Sequence, residues 1–86
     1  MIAMSQRFRE WNAIADYVYL NPHAEIVYQV DYAAVGGPRL RIRVGDLRFD
    51  QTFEGMSLEL DAILKFLEEK GGKSVPRQRE YDSFFL

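Results

Sequence analysis

At 86 residues, 48% hydrophobic and 28% charged, the chain has room for one small domain with a real core, and this composition excludes intrinsic disorder. A net charge of −2 excludes a whole-molecule basic footprint for nucleic acid, leaving only local patches to meet a polyanion. Without cysteine there is no disulfide, no thiolate metal site and no cysteine nucleophile.

The opening MIAMSQRF carries no apolar h-region, and no apolar run approaches the roughly 20 residues that cross a bilayer. The expectation is a soluble, untargeted, cytoplasmic chain with no membrane partner. From Ser5 to Leu20 the residues Phe8, Trp11, Ile14, Ala15 and Val18 recur at three- and four-residue intervals, which predicts an amphipathic helix with Ser5 as its N-cap. Trp11 belongs to the buried stripe, while Tyr17 and Tyr19 point to different sides, so at least one of them reaches the surface. Asn21-Pro22 ends the helix, because the residue before a proline is steered out of the helical region.

From Glu25 to Ala33 the period changes to two, with Ile26, Tyr28, Val30 and Tyr32 on one side, and this is a first strand. The next stretch, PRLRIRVGDLRFDQTF from Pro38 to Phe53, is the clearest pattern in the chain. Leu40, Ile42, Val44, Leu47, Phe49 and Phe53 share one face; Arg39, Arg41, Arg43, Arg48, Asp50, Thr52 and Glu54 share the other. Gly45-Asp46 suits a type II′ hairpin turn, which pairs Val44 with Leu47, Arg43 with Arg48, Arg41 with Asp50 and Arg39 with Thr52. A three-residue Val35-Gly36-Gly37 loop before the hairpin sets Asp31 across from Arg41 and Gln29 across from Arg43, giving a self-neutralising Asp31, Arg41, Asp50 row.

After a break at Glu54-Gly55-Met56, Ser57 caps a second helix whose first turn holds Glu59 and Asp61 at the positive end of the dipole. Leu60, Ile63, Leu64 and Leu67 form its buried stripe, Ala62 and Phe66 widen it, and Gly71-Gly72 stops it. The predicted fold class is α+β: helix, three-stranded antiparallel meander, helix (αβββα), with both helices on one face of the sheet. Residues 5–72 form this domain. Residues 73–86 follow as a basic and aromatic C-terminal tail, ending YDSFFL.

The catalytic repertoire is thin. His23 is the only histidine, beside Pro22 in a connection, with no serine or acid at triad spacing. The carboxylates are scattered over helix turns and strand exteriors, so no metal site is expected, and no cofactor either. Gly36-Gly37-Pro38 lacks the strand-to-helix setting and the lysine of a phosphate loop and is turn chemistry. The expectation is a protein that is not an enzyme.

Two features remain for partner binding. Arg43 and Arg48 oppose each other without an acidic cross-strand partner, so the face made by Arg39, Arg41, Arg43 and Arg48 can dock an acidic or phosphate-bearing partner; a merely solvated sheet face reads the same way. Tyr81, Phe84, Phe85 and Leu86 either fold back over the domain or dock on another chain.

The order of elements over Ser5 to Lys70 resembles the double-stranded RNA-binding domain, in which a glycine-proline pair precedes the second strand and a glycine and a serine open the last helix. Gly37-Pro38, Gly55 and Ser57 stand in those places here. The resemblance implies that fold. Its RNA contacts come from lysines at the start of the second helix, and here that opening is Ser57-Leu58-Glu59-Leu60-Asp61, whose acids repel phosphate. The leading expectation is therefore a protein-protein interaction module, an adaptor, regulatory subunit or inhibitor that occludes a partner surface. An acidic protein and a second copy of the chain are the candidate partners, and a nucleic-acid-binding protein is the alternative.

Overall fold

The fold, seen in a computed structural model that describes residues 6–55 and 57–86, is a small α+β one. Its elements are α1 (Gln6–Leu20), β1 (Ile26–Asp31), β2 (Arg39–Val44), β3 (Leu47–Thr52), α2 (Ser57–Glu69), β4 (Lys73–Ser74) and a 3-10 helix (Arg79–Phe85). Ser5, Met56 and the side chain of Ser57, expected as caps and break, lie outside the described residues. The first five elements follow the expected order.

The sheet departs from the expected three antiparallel strands. It has four, in the order β3-β2-β1-β4, with β4 parallel to β1, so it is mixed. The addition comes from the segment that reads as a tail. At the end of α2 the Gly72 N–H bonds to the Leu67 carbonyl at 2.8 Å and the Gly71 N–H to the Glu68 carbonyl at 3.1 Å, the paired bonds of a Schellman stop. Gly71 takes the required left-handed backbone, with φ of 79°. The chain thereby reverses beside β1, and Lys73 and Ser74 add their short strand to it.

The β2–β3 hairpin has the predicted register throughout, from Val44 with Leu47 to Arg39 with Thr52. Gly45 sits at the first turn position with a positive φ of 57°, which a residue with a Cβ reaches only with strain. The β1–β2 register is shifted by two residues from the expectation. Gln29 lies across from Arg41, Asp31 from Arg39 and Val27 from Arg43. The cause is local: the Asp31 carboxylate accepts the Ala33 N–H at 2.9 Å, starting a turn that ends the strand before Tyr32. A second turn closes from the Gly37 N–H to the Ala34 carbonyl at 3.3 Å. A shift of two preserves the faces, which is why alternation alone admits both pairings.

One face of the sheet carries the core. Ile26, Leu40, Ile42, Val44, Phe49 and Phe53 from the strands join Ile14 and Val18 of α1 and Leu60, Ile63 and Leu67 of α2 in one buried cluster. Each such side chain is worth roughly 1.5–3 kcal/mol in transfer free energy, so this cluster dominates stability. Trp11 meets Phe66 edge-on at 5.3 Å and Phe49 at 6.4 Å, tying the helices to each other and to β3. Phe8, expected in the buried stripe, is 49% exposed, and Leu64 is only partly buried. Tyr19 is exposed and Tyr17 half-buried. Among the described residues no helix is long and apolar enough to cross a membrane.

Candidate peptide-binding face

The opposite face of the sheet is the arginine face, and residues 75–86 cover it. The chain crosses from β4 over that face, and the anchors at the crossing are polar. Gln29 on β1, only 2% exposed, donates from Nε2 to the Pro76 carbonyl at 2.9 Å. Arg77 reaches Asp31 at 3.3 Å. The 3-10 helix then lies over β2, and Phe85 is buried in a small second cluster with Val27 and Val75.

The two features singled out in the sequence therefore meet each other. The Arg41 guanidinium stands 5.1 Å from the centroid of the Phe85 ring, and that of Arg43 stands 5.7 Å from the Phe84 ring. Arginine over an aromatic face gains from the ring quadrupole, on the order of 0.5–1 kcal/mol at exposed sites and more when desolvated. Arg41 Nη1 also reaches Asp82 at 3.4 Å. Arg48 donates from Nε to the Leu86 main-chain oxygen at 3.2 Å and from Nη1 to the Gly45 carbonyl at 3.0 Å. Tyr81 stacks on Phe84 at 6.2 Å, which stiffens the segment from within. The Arg43–Arg48 pair, expected to be uncompensated, has partners in its own chain: a ring for one and a main-chain oxygen for the other.

The neutralised row also changes with the register. Asp31, expected opposite Arg41, instead holds Arg77, and the charge beside Arg41 comes from Asp50, 3.9 Å from its Nε, together with Asp82. Asp50 is gripped by Arg39 through two bonds of 2.7 and 2.6 Å. That hydrogen bond, more than any other cause, raises the Arg39 pKa above its ordinary value. A raised arginine pKa means stability fully present below the ordinary value and lost as pH climbs through the raised one, so the Arg39 guanidinium stays charged across the neutral range. It frames the site and does not switch it.

Arg41 is the centre of the arrangement. Its side chain is 14% exposed, and its Nε is buried without a hydrogen bond. Asp82, Gln29 and Val75, which complete the site, were missed from sequence. Asp82 had a signal, an acid set between Tyr81 and Phe84; Gln29 and Val75 had none, since their burial depends on the crossing of residues 75–86.

Elsewhere, an apolar groove of about 490 Å³ between α1 and α2 is lined by Phe8, Trp11, Ala62, Ile63 and Phe66, with Glu59 at its rim. Glu59 is taken by Arg7 at 3.3 Å, and Arg7 also lies 5.1 Å from the Phe53 ring. His23 is exposed in the α1–β1 connection. Among the described residues no group of three or more histidines and carboxylates is placed to hold a metal ion. Comparison of the chain with protein-family models, curated proteins and solved structures finds no match.

Proposed function

We propose that this chain is a small non-enzymatic protein-interaction module whose arginine face recognises a short acidic and aromatic peptide. What supports the reading is the occupancy of that face in cis: Asp82 at Arg41, the Phe85 ring by Arg41, the Phe84 ring by Arg43 and the Leu86 oxygen at Arg48. A partner presenting the same groups in the same order would take over the same contacts. Working as an adaptor, regulatory subunit or inhibitor, the module would then occlude the partner surface that carries them. The cis segment competes, so the apparent affinity falls by the fraction of molecules whose face is open.

A labelled synthetic peptide of sequence REYDSFFL, titrated by fluorescence anisotropy, tests this. Phe85→Ala loosens the chain's own segment, and that variant should bind the peptide at least about tenfold more tightly than the parent chain. Adding Arg43→Glu and Arg48→Glu should abolish binding while the far-UV circular dichroism stays unchanged. Absence of peptide binding by the Phe85→Ala variant at millimolar concentration would end the reading.

Duplex-RNA binding through a fold of the double-stranded RNA-binding type is the competing reading. The order α1, β1, β2, β3, α2 supports it, and the acidic opening of α2, with Glu59 in its first turn where that family carries lysines, counts against it. Filter binding with duplex RNA at low salt separates the two: strong affinity that falls steeply with added salt would favour the nucleic-acid reading.

A further inference from the structure

The ladder between β1 and β4 is short. It joins Val27 with Lys73 and Tyr28 with Ser74, and it is followed by a bond from the Val75 N–H to the Tyr28 carbonyl at 2.9 Å. The chain then departs for the arginine face, while β1 runs on to Asp31. Backbone groups alternate sides along a strand, so the N–H and C=O of Val30 point to the same edge as those of Tyr28, beyond where β4 has left. At this edge an open groove of about 420 Å³ lies between β1 and α2, lined by Tyr28, Val30, Tyr32, Leu64 and Glu68 among others.

We propose that this groove binds a partner peptide in extended conformation, added to the sheet edge at Val30 in line with β4. An apolar side chain lodges between Tyr28 and Leu64, and a basic one two residues away meets Glu68. Three observations carry the proposal. The edge offers the backbone groups by which a strand is added to a sheet, and the adjoining pocket supplies side-chain selection. Leu64 and Glu68 lie one helical turn apart on α2 and both line the groove, so an apolar and an acidic contact stand about 6 Å apart, close to the separation of successive same-face side chains of an extended peptide. The rim charge is also single-signed in effect, because Arg77 is held by Asp31 at 3.3 Å while the exposed Glu68 faces the groove. Ser74, Val75, Pro76 and Arg77 also line the groove, so it adjoins the segment that covers the arginine face, but its selecting groups, Leu64 and Glu68, lie on α2, and its occupant need not carry the acidic and aromatic groups of residues 79–86.

The test is an NMR titration of the full chain with two peptides, acetyl-Thr-Val-Thr-Lys-Thr-amide and its reversed order, which cover both strand directions. The expected result is saturable amide shifts confined to Val30, Tyr32, Leu64, Glu68 and their neighbours for at least one of them. A fully N-methylated version should bind at least about tenfold more weakly, since it cannot complete the edge hydrogen bonds. Glu68→Lys, an exposed change that leaves the fold intact, should reverse the preference towards the peptide with Glu in place of Lys. The proposal is overturned if neither peptide shifts these residues up to roughly 5 mM, a limit corresponding to negligible affinity. It is equally overturned if N-methylation has no effect, or if the Glu68→Lys variant keeps its preference for lysine.

Discussion

Replacing Phe85 with alanine is the sharpest test of whether residues 75–86 belong to the fold. Phe85 keeps 8% of its surface, packs with Val27 and Val75, and lies 5.1 Å from the Arg41 guanidinium. Truncating a buried phenylalanine costs about 3–5 kcal/mol once the cavity is counted. The Phe85 site is peripheral and can partly collapse, which favours the lower end of that range, about 3 kcal/mol, with the lost arginine-ring contact included. A chain of this size unfolds with an m-value of about 1–1.5 kcal/mol/M in urea, so the midpoint should fall by about 2 M. Trp11 is a suitable reporter because it sits on the opposite face, against Phe49 and Phe66, and senses the main core only. Its fluorescence and far-UV circular dichroism should move together to the lower midpoint. A shift smaller than about 0.3 M, less than half a kcal/mol, would refute the placement of Phe85 and with it the closed arginine face.

Two further outcomes follow from named contacts. Gly71→Ala, forced to a φ of 79°, should cost about 1 kcal/mol in the same urea assay, and an unchanged midpoint would mean that α2 does not stop as described. Arg39→Ala removes the two bonds to Asp50 from a pair that is 42% exposed on both sides, so it should cost no more than about 1 kcal/mol, and the cost should shrink in high salt; a larger, salt-insensitive loss would mean that the pair is buried.

The sequence made the hairpin fully legible because two independent signals agree there. Strict alternation sets the faces of β2 and β3, and Gly45-Asp46 sets the register. The β1–β2 pairing had only the first signal, and parity cannot distinguish registers that differ by two. What decided it was the Asp31 carboxylate capping the Ala33 N–H, a side-chain bond that no periodicity reports. The helices were legible from their apolar stripes, although Phe8 at the start of α1 lies largely outside the core. β4 was not legible, since a pair of residues, Lys73 and Ser74, carries no pattern and pairs only because Gly71 and Gly72 turn the chain beside β1. For the site, the arginines and the aromatic end were visible, while Gln29, Val75 and the joining were not. Four arginines on one face and four apolar or aromatic residues near the end of the chain read as separate features until Gln29 and Arg77 bring the crossing segment down on β1.

The chemistry beneath a covering segment determines what its departure would cost. Were a helix to lift from the core face, Leu40, Ile42 and Val44 would meet water, and the sheet would become a long apolar surface. Departure of residues 75–86 from the arginine face uncovers Arg41, Arg43 and Arg48, which water solvates readily, and the apolar loss falls on Val27, Val75 and Phe85 with the partly buried Tyr81 and Phe84. Arg41 gains in one respect, because its buried Nε, now without a hydrogen bond, would be hydrated. On the proposed reading, a single Phe85-sized contact is what a partner with matching groups has to outcompete. An all-apolar second face would bind the segment more tightly at no gain in specificity, and its exposure would invite aggregation. The arginines thus favour a cover that can be exchanged, which is the physical basis for reading residues 79–86 as the resident ligand of the face they occupy.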